Sequence, residues 1–186
     1  MIPAIRCLIW WEASSEPCFL IRCGLSQIPS LVSSKKTVFT NITLSKQYAA
    51  HFQFLVMGLV GKSLEDIRRT MLLRNYSKST AMNASLQTLQ SIWDLHDLGY
   101  LHRDIKPQNF AIGLGEFEKT IYMLDFGIAR RYRVKDTKEV KVARLAVKFL
   151  GTLRFASRAC HLGVEQGRKD DLETWVYMVK NDTCRV

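Results

Sequence analysis

The chain has 186 residues, 47% of them hydrophobic and 24% charged, with a net charge of +10. These values fall in the globular range and exclude a mostly disordered or collagen-like chain. No apolar run approaches the ~20 residues that a membrane-crossing helix needs. The five cysteines, Cys7, Cys18, Cys23, Cys160 and Cys184, are scattered and form no C-x-x-C pair. They support neither a zinc site nor a disulfide framework, and they fit a reducing setting, cytoplasmic or nuclear.

The charge is concentrated. Residues 1–129 carry 13 Lys/Arg against 10 Asp/Glu, residues 130–169 carry 12 against 3, and residues 170–186 carry 2 against 4. A local excess of +9 therefore lies in forty residues beginning at Arg130. Such a stripe attracts anions, whether acidic protein, phosphorylated protein or nucleic acid. No zinc-finger spacing or aromatic RNA-binding signature accompanies it, so nucleic acid is not the expected partner.

In chain order, the apolar block Cys7 to Trp11 is shorter than a signal-peptide core and lacks a small-x-small cleavage site, which reads as non-targeting. Residues 1–51 sustain neither a strand nor a helix period. The run Phe52-Gln53-Phe54-Leu55-Val56-Met57 reads as a buried strand broken by Gly58 and Gly61. Ser63 ahead of Leu64-Glu65-Asp66 reads as a helix start, with a hydroxyl cap and acids against the helix dipole. The spacing of Met82, Leu86, Leu89, Trp93 and Leu95 or His96 predicts a second helix from about Thr80 to Leu98, capped at Gly99. Ala111-Ile112 and Ile121 to Leu124 are short strands joined by a turn with Gly113 and Gly115. The order is α+β.

The segment His102-Arg103-Asp104-Ile105-Lys106-Pro107-Gln108-Asn109 is followed, sixteen residues after Asn109, by Asp125-Phe126-Gly127. This ordered pair resembles the catalytic loop and metal-binding loop of eukaryotic protein kinases. Phosphoryl transfer needs positioning and charge neutralisation more than covalent help. A carboxylate at Asp104 can orient an attacking hydroxyl and take its proton. Lys106 can reach the transferring phosphate, and in kinases this lysine marks serine/threonine specificity. Asn109 and Asp125 supply the oxygen ligands that Mg²⁺ prefers. Arg103 is the usual partner of an anion on the activation segment.

The stretches FLVMGLVGKSLEDIRR, YLHRDIKPQNFAIG, YMLDFGIARRY and GTLRFASRACHLGVEQGRKDDLE resemble the casein kinase I superfamily, nearest its tau-tubulin kinase-like branch. The resemblance covers residues 52–178, with 1–51 and 179–186 unmatched. It implies a partial protein-kinase-like fold: the hinge strand and the first half of the mainly helical C-lobe, with the N-lobe largely missing. It implies ATP and Mg²⁺ as cofactors and acidic or phosphate-primed protein substrates. By the same resemblance Met57 is the gatekeeper, the Gly58 carbonyl and Val60 backbone meet adenine, and Ser63 and Asp66 lie near the ribose. Ala111 and Leu124 would face the purine, with plain core packing as the alternative. Arg154 aligns with a basic residue that binds phosphate on primed substrates, and Asp171 with the helix F aspartate that buttresses the catalytic loop.

Other family features are absent. Gly24 is the sole glycine before Gly58, so no G-x-G-x-x-G loop precedes the strand. Lys35, Lys36 and Lys46 do not sit in a lysine-bearing strand, and Glu12 and Glu16 precede all three. Two readings follow. One is a serine/threonine kinase impaired in this form, whether as a fragment, a misjoined gene model or a diverged relative. The other is a non-catalytic module that binds acidic or phosphorylated protein through residues 130–169.

Overall fold

The computed structural model describes residues 9–13, 16–22, 42–43, 54–72, 75–134, 137 and 139–183, with the backbone alone before residue 59 and after residue 180. The chain opens with an antiparallel hairpin of β1, Ile9–Ala13, and β2, Glu16–Arg22. On its other edge β2 pairs with β4, Phe54–Gly58, and β3, Ile42–Thr43, pairs with the far side of β4. The sheet order is β1-β2-β4-β3. Of these strands the sequence announces only β4. The others hold together through pairing between distant segments, such as Met57 opposite both Phe19 and Ile42, and local periodicity carries no trace of such pairing.

Helix α1, Leu64–Thr70, starts where expected, because the Ser63 hydroxyl accepts the Asp66 backbone N–H at 3.1 Å. Its outer turn is braced by a two-pronged contact from Arg68 to Glu65 at 3.0 and 2.8 Å. Helix α2, Lys78–Asp97, starts two residues ahead of the predicted Thr80 and is capped by Ser77. The predicted apolar spacing marks the buried face only in part: Leu95 and His96 are buried and Leu89 half-buried, but the other three lie outside it. Met82, Leu86 and Trp93 are 72%, 69% and 65% exposed, whereas Ala81, Thr88, Ser91, Ile92 and Leu95 are buried. The buried side is rich in small residues because α4, Arg168–Thr183, crosses it, and the Trp175 indole donates to the buried Thr88 hydroxyl at 3.0 Å. Gly99 ends α2 as expected: its φ of +86° favours glycine, and its N–H reaches the His96 carbonyl at 2.9 Å.

Two small ribbons complete the body. β5, Tyr100–Leu101, pairs with β8, Arg130–Arg131, and β6, Phe110–Ile112, pairs with β7, Ile121–Met123. Gln87 pins the second ribbon to α2, donating to the Lys119 carbonyl and accepting the Ile121 N–H. The short helix α3, Arg158–His161, leads into α4. Ile92, Leu95, Ile105, Phe110, Met123, Phe126, Phe155 and Met178 form one apolar core beneath these elements. Burial of side chains this size contributes about 1.5–3 kcal/mol each. No described helix is long and apolar enough to cross a membrane.

Candidate active site

The loop from His102 to Asn109 leaves β5 and enters β6 over the core, and a buried carboxylate fixes its start. Asp171, in the first turn of α4, accepts the backbone N–H groups of His102 and Arg103 at 2.9 and 2.8 Å. The same carboxylate meets His96 Nε2 at 2.8 Å. These bonds hold Arg103 at φ +69°, a backbone region that residues with a Cβ seldom occupy. The His102 ring in turn contacts the Leu124 carbonyl at 3.0 Å and lies edge-on to Phe126 at 5.4 Å. The two motifs are thereby joined through one histidine.

Asp104 sits at the centre of a polar network. Lys106 Nζ donates to its Oδ2 at 2.6 Å and to the Thr152 hydroxyl at 2.9 Å. Thr152 donates onward to Asp104 Oδ1 at 2.7 Å. Asn109 Nδ2 donates to the Asp104 carbonyl at 2.8 Å and to Oδ2 at 3.2 Å. Burial alone would raise the Asp104 pKa, but the hydrogen bonds from Lys106 and Thr152, with the nearby positive charge, outweigh it and hold the carboxyl below its ordinary value. Behind Thr152, Gly151 has φ +111°, and a Cβ built there would lie 2.7 Å from the Arg103 carbonyl oxygen.

A test follows from this balance. In Thr152→Val the hydrogen bond to Asp104 Oδ1 is lost, so burial raises the Asp104 pKa towards or above its unfolded value. In the parent the folded-state pKa lies below the unfolded one, so the stabilisation is present at neutral pH and disappears as pH falls through the folded value. The variant should therefore be about 1 kcal/mol less stable at pH ~7, with the deficit shrinking as pH falls and Asp104 of the parent takes up its proton. Urea midpoints measured from neutral to acid pH check this; superimposable curves would refute it.

Asp125 also has a left-handed backbone, φ +62°, and its Oδ1 accepts the Gly127 N–H at 3.3 Å. The Leu124 N–H donates to the Asn109 carbonyl at 2.8 Å, which ties the strand ahead of Asp125 to Asn109. Asn109 Nδ2 is spent on Asp104, and the amide oxygen of Asn109 and the carboxylate of Asp125 are oxygen donors of the type that would suit Mg²⁺.

The residues expected along a nucleotide edge are partly brought together. The Gly61 N–H donates to the Ile112 carbonyl at 2.7 Å and the Ile112 N–H to the Lys62 carbonyl at 3.1 Å, while Ser63 bridges Ala111. Val60 is half-buried, Ala111 is buried in β6, and Leu124 is half-buried. Ser63 donates to Asp66 at 2.7 Å, so both expected ribose-side groups engage each other. Met57 and Gly58 lie at the end of β4, and their side-chain surroundings fall outside the described residues.

The basic segment folds back on the loop. The Arg103 guanidinium donates to the Ile128 carbonyl. Its pKa is lowered by burial and by the charges of Arg130 and Arg144, against which Glu165 and Asp171 act. Glu165 meets Arg144 at 2.5 Å and Arg130 at 3.6 Å, and the Arg144 hydrogen bond depresses its own pKa. Arg154 is exposed, with its guanidinium 5.5 Å from the centre of the Phe155 ring.

Three site residues escaped the sequence reading: Thr152, which bridges Asp104 and Lys106; His96, which shares Asp171; and Gly151, which touches the catalytic loop. Thr152 and Gly151 stand in GTLRFAS, where a glycine before a hydroxyl residue was the available signal. His96 carried none, since one histidine on a helix reads as core or surface.

Comparison with known proteins identifies the family. The model of the protein kinase domain matches residues 28–160, starting ahead of residue 52. A putative serine/threonine-protein kinase of Caenorhabditis elegans is 44% identical over 127 residues, covering 68% of this chain and 38% of that protein. A probable serine/threonine-protein kinase of Dictyostelium discoideum is 43% identical over 129 residues, 69% of this chain and 26% of that protein. Serine/threonine-protein kinase spe-6 of C. elegans is 42% identical over 127 residues, 68% of this chain and 33% of that protein. The chain thus spans well under half the length of each of these relatives, all named as serine/threonine kinases. With a matched region that contains the braced Asp104 loop and the Asp125 turn, the chain belongs to the protein kinase family.

Proposed function

We propose that this chain carries out ATP-dependent phosphorylation of protein serine and threonine residues in the manner of the casein kinase I superfamily, nearest its tau-tubulin kinase-like branch. The observation that supports it most is the Asp104 carboxylate, held by Lys106 and Thr152 on a loop that Asp171 braces from below. The substrate hydroxyl gives its proton to Asp104 as its oxygen bonds to the γ-phosphorus and the bond to the ADP oxygen breaks. Lys106, beside Asp104, offsets charge on the transferring group. Asn109 and Asp125 would hold Mg²⁺, which when bound neutralises phosphate oxygens. Val60, Ser63, Asp66, Ala111, Leu124 and the end of β4 at Met57 and Gly58 would border the nucleotide. Arg103 and Arg154, within the basic surroundings of the loop, favour acidic or phosphate-primed substrates.

Without a glycine-rich loop or a strand lysine for the phosphates, turnover by the chain alone is weak, because positioning supplies much of the rate. The gathering of Arg103, Arg130 and Arg144 supports a second reading, a non-catalytic module for acidic or phosphorylated protein. Thermal melting and radiolabel transfer to a serine peptide primed with phosphoserine separate the two. The kinase reading expects Mg²⁺-ATP to raise the melting point and label to appear only with Mg²⁺. Stabilisation by sulfate or phosphopeptide but not by Mg²⁺-ATP would favour the second reading and defeat the first.

A further inference from the structure

Behind the catalytic loop, α2, the start of α4 and the segment following β8 enclose an open groove of about 660 Å³. Its apolar wall includes Leu89, Trp93, Tyr132, Val142 and Leu172. Trp93 is 65% exposed and Val142 is 92% exposed, although both belong to the wall of a concave surface. Large apolar groups left in the open within a groove mark a binding surface more often than a solvated one. The outer strand of the groove is well fixed: the Lys141 N–H donates to the Tyr132 carbonyl at 2.8 Å, the Val134 N–H donates to the Glu139 carbonyl at 2.8 Å, and Arg133 bridges Val140. The Tyr132 hydroxyl then donates to the His96 carbonyl at 2.8 Å, anchoring that strand to the end of α2.

The charge of the rim identifies the occupant. Arg130, Lys141, Arg168 and Lys169 line the groove, and so do Asp97, Glu165 and Asp170. Two of those carboxylates are already committed. Glu165 is held by Arg144 and Arg130, and Asp170 is 1% exposed and accepts from the Gly167 N–H and Lys169. Lys141 and Arg168, by contrast, are not the partners of Glu165 or Asp170 in these pairs; Arg168 instead lies 5.4 Å from the Tyr132 ring centre. Tyr132 and Val142 of the wall belong to the stretch with a +9 excess. Two cations outside these pairs, Lys141 and Arg168, on the groove that holds an exposed indole complement a chain with carboxylates flanking bulky apolar side chains.

We propose that this groove is a docking site for an acidic linear segment of a partner protein, with an aromatic or aliphatic side chain seated on Trp93 and carboxylates facing Lys141 and Arg168. The site is separate from Asp104 and its binding requires no nucleotide, so it stands or falls independently of phosphoryl transfer.

The test is fluorescence polarisation of the whole chain against a fluorescein-labelled peptide of sequence EEDFDELEE, without nucleotide. A saturable rise is expected, weakened about tenfold or more by Trp93→Ala and by the double variant Lys141→Glu/Arg168→Glu. A peptide with serine in place of its Phe and Leu should bind weakly to the parent. Because Trp93 is exposed, its variant should keep the parent's far-ultraviolet circular dichroism; the charge variant provides an independent check. Binding unaffected by either variant would overturn the proposal. So would self-association in sedimentation equilibrium that Trp93→Ala abolishes, which would make this face an interface between copies of the chain. Asp125→Ala should retain peptide binding while losing label transfer, so the two readings fail separately.

Discussion

Asp104→Asn is expected to lower Mg²⁺-dependent label transfer by about 10²–10⁴-fold, the usual contribution of a positioned general base. The substitution is nearly isosteric, and Thr152 can still donate to the remaining oxygen. Lys106, however, would face an amide N–H₂ where it now meets a carboxylate oxygen at 2.6 Å. Proton acceptance and lysine placement are therefore lost together. Asp125→Ala should reduce transfer comparably for a different reason, loss of a hard oxygen ligand. The two variants separate in a melting assay. Asp104→Asn should keep the stabilisation by Mg²⁺-ATP, and Asp125→Ala should lose it. Full transfer in either variant would contradict the roles assigned to these carboxylates.

Asp171→Ala is expected to damage the fold as well as the chemistry. It removes the acceptor for two backbone N–H groups and for His96 at a position only 2% exposed. Each buried donor left unsatisfied costs about 1–3 kcal/mol, so a loss of about 3–5 kcal/mol is expected in urea unfolding. The strained Arg103 backbone would relax once its restraint is gone, moving Asp104 with it, and a shift of ~1 Å costs about 10²-fold in rate. Asp171→Asn retains one acceptor oxygen and should fall between parent and alanine variant. Hydrogen exchange at the His102 and Arg103 amides gives a direct reading. Amides as protected in Asp171→Ala as in the parent would contradict the bracing role.

Local chemistry made much of this legible from sequence. Ser63 before Leu64-Glu65-Asp66 is a complete capping signal within four residues, and α1 starts there. Gly99 closes α2 for a reason that one residue type carries. The protein kinase family was readable from the order of Asp104, Asn109 and Asp125, because phosphoryl transfer constrains residue type and order within a short span. What escaped depends on distant partners. Strands β1, β2 and β3 are defined by pairing with β4 and with each other, and the spacing that located α2 could not say which side α4 would cover. Small buried residues such as Ala81, Thr88 and Ser91 give a weak hydropathy signal, whereas exposed Met82, Leu86 and Trp93 give a strong one. Thr152 acquires its role only when the chain returns to Asp104, nearly fifty residues on.

Gly151 has a consequence for how this surface can vary. It is exposed, yet a methyl group there would press on the Arg103 carbonyl, and its φ of +111° disfavours every other L-residue. Positions open to solvent ordinarily accept most replacements, whereas this one should tolerate as few as a core position does. The constraint acts through empty space: the segment carrying Thr152 can lie against the catalytic loop only while residue 151 contributes no side chain. Mutational drift in the two segments is thereby coupled, because any replacement at 151 needs a compensating backbone shift at Arg103, the residue that Asp171 already holds in place.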